Sequence, residues 1–430
     1  MKHSKKILYY SVILFALISL SSFDNNNSKL SYPLLQKIRY QDNVEKDLIW
    51  IYFTDKGNDF DNKLADPESF LTEKSIQRRL KRIKNDKIYD ELDIPLNANY
   101  ITEITNSGFV IKQKSKWFNA ISCYANKLQI ENIIEKDFVK KIELVHKYKK
   151  SNEQETNVSD NNITVQTDNT SSINYGPSLI QSNIINVPPV HASGYSGEGV
   201  LIASFDAGFD NLQHYCFSTI RAKGLRTYDF VNGDTIVGNG EGRLGNDGSH
   251  GTLTLSLVGG YSPDSLISPA YNSQFILAKT ENVDSETPLE EDNWIAAAEW
   301  ADSLGADIIT SSLGYLEFQE PYPDYTWQSM NGNTTRITQA ANIAVNKGIV
   351  VVISSGNSGY NSSHNTLNAP ADGYNVITVG AVTAARQRAN YSSVGPTTDG
   401  RIKPDVMAMG SYNYTARSGP GSTGYMNIAT

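Results

Sequence analysis

From about Gly176 onward, short apolar runs bounded by glycine alternate with longer stretches of helical periodicity. The apolar runs predict buried strands, namely Val200 to Phe205, Gln274 to Lys279, Asp307 to Ser312, Ile349 to Ser354 and Val376 to Val382. The periodic stretches predict helices, namely Thr252 to Val258, Leu289 to Leu304 and Thr334 to Lys347. Strands that alternate with helices and are apolar on both faces indicate an α/β domain over 176–430, with a doubly wound, mostly parallel sheet.

The chain from about 40 to 148 has a different pattern, in which strand-like and helix-like pieces are shorter and mixed. β-branched and aromatic runs predict strands, for example Leu48 to Thr54 and Val139 to Leu144. Thr72 to Ile83 predicts a helix, and the charge run from Arg78 to Lys87 predicts that one helix face is solvated rather than a binding patch. This part is predicted to be a small α+β domain.

Two further segments are predicted to lie outside the folded domains. Residues 149–175 are rich in Asn, Ser, Thr, Asp and Glu and have almost no large apolar side chain, which predicts a polar linker open to proteolysis. Residues 1–22 combine lysines with an apolar run from Ile7 to Leu20 and then serines, which predicts a cleaved signal peptide. This run is shorter than the roughly 20 residues that span a bilayer, so we expect a secreted or extracytoplasmic protein with no membrane association after cleavage.

Composition narrows the classes of function only slightly. The net charge is −8 and provides no general basic surface, so we expect no nucleic-acid partner. The chain has two cysteines, Cys123 and Cys216, which lie in different predicted domains and are expected to be buried thiols rather than a disulfide.

Three segments carry candidate chemistry. Asp206 is predicted at the carboxyl end of a strand, where open parallel sheets place reactive groups, and Gly208 permits a sharp turn after it. His250 is followed by Gly251 and Thr252 at the start of a predicted helix. Asn357 ends a Ser-Ser-Gly-Asn segment after another strand, where its amide could donate a hydrogen bond to an oxyanion. Taken singly, each is more often structural: a helix cap or turn for Asp206, a structural or exposed histidine for His250, and an ordinary turn for Asn357.

Taken together, the segments Phe205-Asp206-Ala207-Gly208, His250-Gly251-Thr252 and Ser354-Ser355-Gly356-Asn357 resemble the subtilisin-like serine peptidases, the subtilase family. The resemblance covers about residues 176–430 and includes the order aspartate, histidine, asparagine. It implies that Asp206 is the orienting carboxylate, His250 the general base and Asn357 the oxyanion amide. It also implies that residues 40–148 are a propeptide, which would be a partner of the catalytic domain.

The resemblance further implies a substrate-binding strand and a missing nucleophile. Ser312-Leu313-Gly314 matches the segment along which the family binds an extended polypeptide substrate. The residues from Gly400 to Val406 resemble the family's approach to its nucleophile, although Met409 replaces a usual proline. The nucleophile motif, Gly-Thr-Ser, does not follow, and Ser411, Ser418 and Ser422 come too early. We therefore expect the catalytic domain to be incomplete at its C-terminus and the chain as given to be inactive.

The main prediction is thus a secreted serine endopeptidase with a Ser-His-Asp mechanism. The alternative is a non-catalytic peptide-binding or scaffolding protein on a subtilisin-like fold. A nucleotide-binding or redox protein is disfavoured, because the first strand ends in Asp206 instead of a Gly-x-Gly-x-x-Gly turn. No cofactor is required by this prediction. The metal question stays open: structural calcium is compatible with Asp234, Asp247 or Asp284, whose spacing is not distinctive.

Overall fold

The computed structural model describes residues 28–84, 88–145, 173–238, 248–282, 289–316 and 324–429. The chain divides into two compact units. The smaller unit comprises residues up to Ser69 together with Tyr89–His146, and the larger comprises Phe70–Ile88 together with the chain from Lys147 onward. The predicted signal peptide and most of the predicted linker 149–175 lie outside the described residues, and the predicted domain boundaries stay predictions.

The smaller unit is a four-stranded sheet with helices, in the strand order β2-β3-β1-β4. Its strands are β1 (Lys46–Phe53), β2 (Val110–Ser115), β3 (Ala120–Asn126) and β4 (Val139–Leu144). Its helices are α1 (Tyr32–Tyr40), α2 (Phe60–Leu64), α4 (Ala98–Asn106) and α5 (Lys127–Ile133), numbered in chain order with α3 in the larger unit. Strand β1 pairs antiparallel with both β3 and β4, and its Ile49, Trp50 and Ile51 form the buried centre of the sheet.

The larger unit contains a seven-stranded sheet in the order β13-β12-β11-β10-β5-β9-β6, in which every pairing is parallel. Its strands are β5 (Leu201–Asp206), β6 (Arg226–Asp229), β9 (Gln274–Lys279), β10 (Ile308–Ser311), β11 (Val350–Ser354), β12 (Ile377–Val382) and β13 (Val406–Met409). Two small hairpins add β7 (Tyr261–Ser262) with β8 (Leu266–Ile267), and β14 (Asn413–Ala416) with β15 (Tyr425–Ile428). The predicted α/β class with a doubly wound parallel sheet is confirmed.

Helices cover this sheet. They are α6 (Leu179–Ile184), α7 (Val187–Ala192), α8 (Ser218–Ala222), α9 (Gly248–Gly259), α10 (Leu289–Leu304) and α11 (Arg336–Asn346). In α10 the small Ala297, Ala298 and Ala301 are all fully buried, and Trp294 packs edge-on against Phe205 of β5 with ring centroids 5.5 Å apart. Strand β5 is buried along its whole length, so the residue at its end is held in a rigid environment.

The register of the central strands aligns their carboxyl ends. Ser311 of β10 pairs with Phe205 of β5 on one side and with Ile353 of β11 on the other. The residues that follow these positions, Asp206 and Ser312, therefore lie next to each other at one edge. Chain order reverses direction around β5, and such a switch point leaves a crevice at the carboxyl edge of an open parallel sheet.

One prediction about the N-terminal part is wrong. Helix α3 (Glu73–Arg82) belongs to the larger unit, and Arg78 and Arg79 in it are buried instead of solvated. Leu80 is exposed in the same helix. The helix is therefore turned with its arginines inward, because a buried carboxylate and several carbonyl groups are available to them there.

Within the part of the chain that the structure describes, no helix has both the length and the apolar character needed to cross a membrane.

Candidate active site

Asp206 is the last residue of β5 and is 1% exposed. Its Oδ1 accepts a hydrogen bond from the backbone N–H of Ala207 at 2.8 Å and lies 2.7 Å from Nδ1 of His250. Its Oδ2 accepts from the hydroxyl of Thr254 at 2.9 Å. Both carboxylate oxygens are therefore held in place, which fixes the direction in which the carboxylate faces the imidazole.

His250 lies in the first turn of α9, which begins at Gly248, four residues before the predicted start. Its side chain is 26% exposed, in contrast to the buried carboxylate beside it. With Nδ1–H donating to Asp206, the neutral ring carries its lone pair on Nε2. This is the tautomer that a general base requires.

The glycines of these two segments explain how a strand end and a helix start come so close. A Cβ atom on Gly251 would lie 2.1 Å from the carbonyl oxygen of Gly208 and 3.0 Å from Cβ of Asp206. Gly208 has φ of +144°, which other residues rarely adopt. Thr252 completes the contact, since its hydroxyl accepts from the backbone N–H of Asp210 at 2.9 Å and donates to the carbonyl of Gly248 at 3.0 Å.

A cavity of about 290 Å³ opens beside this pair. It is lined by Asp206, His250, Ser312 and Asn357, which come from the ends or starts of four separate elements. Asn357 follows β11 on an exposed loop. Ser393 holds the loop at two points, donating its backbone N–H to the carbonyl of Gly356 and accepting from the N–H of Ser358.

The predicted substrate-binding segment lies at the same edge of the sheet. Ser312 lines the cavity, whereas Leu313 and Gly314 are not among its described lining residues. Gly314 is exposed. The next residue, Tyr315, forms an antiparallel bridge with Ala369 through hydrogen bonds of 2.9 and 3.0 Å. The structure therefore brings one of the three residues into the cavity and leaves the other two beside it.

Sequence reasoning missed two residues of this region. One is Thr254, which binds Asp206. The other is Asn368, which lies between two predicted segments: an added Cβ would come within 2.8 Å of its side chain at Gly314 and within 2.9 Å at Gly356. Its Oδ1 is buried and, among the described residues, makes no hydrogen bond. No motif signals Asn368, because its neighbours come from segments more than ten residues away in the chain.

The three serines that come too early in the chain to match the nucleophile motif do not line the cavity. Among the described lining residues, Ser411, Ser418 and Ser422 are absent. The carbonyl of Ser422 instead accepts a hydrogen bond from Asn211 at 2.8 Å.

A second nucleophile–imidazole pair is closed to solvent. Nδ1 of His214 lies 3.1 Å from Sγ of Cys216, and both residues are buried. Burial raises the pKa of the Cys216 thiol to about 12 and lowers the pKa of His214, so the neutral forms are favoured. Cys123 is likewise a buried free thiol, so the expectation of two buried thiols is confirmed.

The aspartates that the sequence allows as calcium ligands gain no support as a metal site from the described residues. Asp234 follows β6, and its Oδ1 accepts from the N–H of Ile236 at 2.7 Å. Asp247 and Asp284 lie outside the described residues. Within the described ranges, no cluster of three or more His, Cys, Asp or Glu side chains is arranged to hold a metal ion.

Comparison with known proteins identifies two regions of the chain. Residues 197–429 match the profile of the subtilase family, Peptidase S8, and residues 48–161 match the Peptidase S8 propeptide domain of Bacteroidota. The chain is 29% identical to subtilisin DY of Bacillus licheniformis, over 55% of this chain and 76% of that protein. It is also 29% identical to a subtilisin of Bacillus pumilus, over 58% of this chain and 81% of that protein.

Subtilisin NAT of Bacillus subtilis subsp. natto is similar at 29% identity, over 58% of each chain. A subtilase domain preceded by a propeptide domain is the organisation of a serine peptidase that acts on polypeptides. Because the subtilase profile covers more than half of its residues, the chain belongs to the subtilase family.

Proposed function

We propose that this protein is a secreted serine endopeptidase that hydrolyses peptide bonds by a Ser-His-Asp mechanism. The observation that carries the proposal is the 2.7 Å contact between Nδ1 of His250 and Oδ1 of Asp206, beside a cavity that Asn357 also lines. Family membership supports peptidase chemistry. The geometry supports three separate roles, because a base, the carboxylate that orients it and an amide that can donate to an oxyanion line one cavity.

In the proposed reaction, Nε2 of His250 removes the proton from a serine hydroxyl as its oxygen bonds to the carbonyl carbon of the substrate. Asp206 holds the ring and stabilises the imidazolium that forms. The side-chain amide of Asn357 donates a hydrogen bond to the oxyanion. The C–N bond then breaks, the imidazolium gives its proton to the leaving amine, and water hydrolyses the acyl-enzyme by the same steps.

The substrate is proposed to bind as an extended polypeptide along Ser312-Leu313-Gly314. The support is positional, since this segment continues β10 beyond its last pairing with β5 and β11, next to the cavity. Main-chain hydrogen bonds would then provide affinity for any sequence, while neighbouring side chains would provide selectivity. Asn368, which contacts Gly314, is placed to contribute to that selectivity.

The reaction proposed needs no cofactor. We propose that any bound calcium is structural, held by loop oxygens, so a chelator should lower the temperature of unfolding without a direct effect on the chemical step. The N-terminal propeptide domain is proposed to be removed by cleavage within residues 149–172, after secretion directed by residues 1–22. A mature N-terminus before Lys149 would contradict this cleavage position.

The nucleophile is proposed to belong to a Gly-Thr-Ser motif, which does not occur among residues 1–430. The test compares two secreted proteins in a casein assay: residues 1–430, and the product of the complete reading frame. We expect the second to hydrolyse casein, with loss on His250→Ala, and the first to be inactive. Failure of the complete product to hydrolyse casein, with peptide binding retained, would favour a non-catalytic binding protein. Hydrolysis by residues 1–430 that depends on His250 would show that the nucleophile lies elsewhere.

A further inference from the structure

Two glycines at the carboxyl edge of the sheet both contact the side chain of Asn368. Gly314 ends the proposed substrate-binding segment, and Gly356 precedes Asn357 in the loop after β11. A Cβ atom built on Gly314 would lie 2.8 Å from Cβ of Asn368, and one built on Gly356 would lie 2.9 Å from its Cγ. Asn368 therefore occupies the space into which a side chain at either glycine position would point.

The backbone around Asn368 is hydrogen-bonded to the segments of both glycines. The N–H of Asn368 donates to the carbonyl of Ser355 at 3.3 Å, and its carbonyl accepts from the N–H of Ala371 at 2.9 Å. The next residue, Ala369, exchanges two hydrogen bonds with Tyr315, at 2.9 and 3.0 Å. Residues 368 and 369 therefore join the two segments as a floor, and the Asn368 side chain extends from this floor between them.

The Asn368 side chain also introduces a polar group at this floor. Its Oδ1 is buried and makes no hydrogen bond within the described ranges of the chain, while the residue as a whole is half-buried. An apolar ligand group packed over this amide would exclude water from it without offering a partner, which is unfavourable. The floor is therefore poorly suited to a large apolar side chain.

The proposed reaction determines which substrate side chain would meet Asn368. The acyl residue, whose carbonyl group is attacked, has its carbonyl carbon beside His250 and its oxygen within reach of Asn357. In an extended substrate the same residue lies along Ser312-Leu313-Gly314. It is thus held between the segment of Gly314 and the loop of Gly356. Because glycine contributes no side chain to either wall, the slot between them is limited by Asn368.

We propose that Asn368 is a specificity-determining residue that closes this slot, so that the protein cleaves after small residues such as alanine and serine and discriminates against phenylalanine, tyrosine and leucine. The inference rests on the proposed peptidase function and names the substrate class that the site accepts. Two effects act in the same direction. A large acyl side chain would overlap Asn368, and a large apolar one would also cover its half-buried amide.

The test uses the product of the complete reading frame and two tetrapeptide p-nitroanilides that differ only in the last residue, alanine or phenylalanine. We expect kcat/KM of the unmodified protein to be higher for the alanine substrate. Asn368→Gly should open the slot and raise kcat/KM for phenylalanine relative to alanine by about 100-fold. The matched control is Asn375→Gly, the same exchange at an exposed position, which should keep the ratio of the unmodified protein.

A preference of the unmodified protein for phenylalanine would overturn the proposal, and so would an unchanged ratio in Asn368→Gly. If that variant does not fold, mass spectrometry of the casein fragments released by the unmodified protein decides. Fragments that end in small residues support the role of Asn368, and fragments that end in phenylalanine, tyrosine or leucine contradict it.

Binding without turnover separates this inference from the peptidase proposal. Tetrapeptides that end in a free alanine or phenylalanine are titrated against the unmodified protein by calorimetry. Tighter binding of the alanine peptide, with no hydrolysis of either p-nitroanilide, would reject the peptidase proposal and support the closed slot. Tighter binding of the phenylalanine peptide, with hydrolysis present, would reject the role of Asn368 alone.

Discussion

A buried aspartate lies near each end of the parallel strands, and each aspartate binds cationic or basic side chains. The two sites differ in how exposed those partner side chains are. At the carboxyl edge, Asp206 contacts His250, whose side chain is 26% exposed. Near the amino edge, Asp302 contacts Arg78 and Arg79, which are at most 1% exposed. The carboxylates are alike in burial, so the difference lies in the partner.

This difference separates a reactive pair from a structural one. The guanidinium groups stay charged and direct their N–H groups at oxygen atoms, so their role is to hold elements together. The imidazole binds Asp206 through one nitrogen only, and its exposed edge borders a cavity. The Asp206–His250 pair can therefore take part in proton transfer. Breaking the buried pair of Asp302 with Arg78 and Arg79 would instead lower only the stability of the fold.

The largest expected effect concerns the pair of Asp206 and His250. In the product of the complete reading frame, Asp206→Asn should lower kcat/KM for casein-derived peptides by about 10⁴-fold, because an amide in place of the carboxylate favours the wrong imidazole tautomer. Steady-state kinetics measures this. Asp399→Asn, at an exposed position of the larger unit away from the cavity, is the control and should leave kcat/KM unchanged. A loss of less than tenfold for Asp206→Asn would mean that the pair does not act as proposed.

The next effect tests the closed pair. Asp302→Asn in residues 1–430 should lower the free energy of unfolding by about 3 to 5 kcal/mol, because two buried guanidinium groups lose their counter-charge. Urea denaturation followed by circular dichroism provides the value. For comparison, Asp307→Asn alters a partly exposed pair with Arg82 and should cost much less. Equal losses of unfolding free energy for the two variants would show that the buried pair of Asp302 is no more important for stability than the partly exposed pair of Asp307.

A smaller effect concerns the support of Asp206. Thr254→Val removes the hydroxyl that donates to Oδ2, and kcat should fall about tenfold while KM changes little, as expected for a positioning residue that binds a charged group. Thr254→Ser keeps the hydroxyl and should restore most of the rate. No rescue by serine would indicate that packing, and not the hydrogen bond, explains the loss.

The smallest effect is a predicted absence of reaction. Because burial raises the pKa of both thiols to about 12, neither Cys123 nor Cys216 carries appreciable thiolate at pH 8. The native protein should therefore not react with Ellman's reagent, and unfolding in guanidinium chloride should expose both. Rapid reaction of the native protein would mean that at least one of the two thiols is accessible, and loss of that reaction in Cys216→Ala would assign it to the His214–Cys216 pair.

The sequence predicted the central strands well, and it singled out Asp206, His250 and Asn357, which the structure brings to one cavity, because both depend on short-range signals. Buried strands such as β5 are apolar throughout, and the glycines next to Asp206 and His250 mark a close approach of backbone segments. The sheet edges were missed: β6 (Arg226–Asp229) is polar and β13 (Val406–Met409) is half-exposed, so neither has the apolar run of a central strand.

The remaining misses depend on long-range contacts. Arg78 and Arg79 belong to a charged run, and their burial is made favourable by the carboxylate of Asp302 and by carbonyl groups such as that of Ala306, all more than 200 residues away. Asn368 is a polar residue in a loop with no motif, and its place beside Gly314 follows from the folding of two distant segments. Local patterns contain no information about such partners.

The most direct test of the central claim is covalent labelling of the product of the complete reading frame with a fluorophosphonate, followed by mass spectrometry of the peptides. We expect a single adduct on the serine of a Gly-Thr-Ser motif, and we expect it to be lost in His250→Ala. An adduct on any other residue, or labelling that survives without His250, would contradict the claim that Asp206, His250 and Asn357 serve a serine nucleophile.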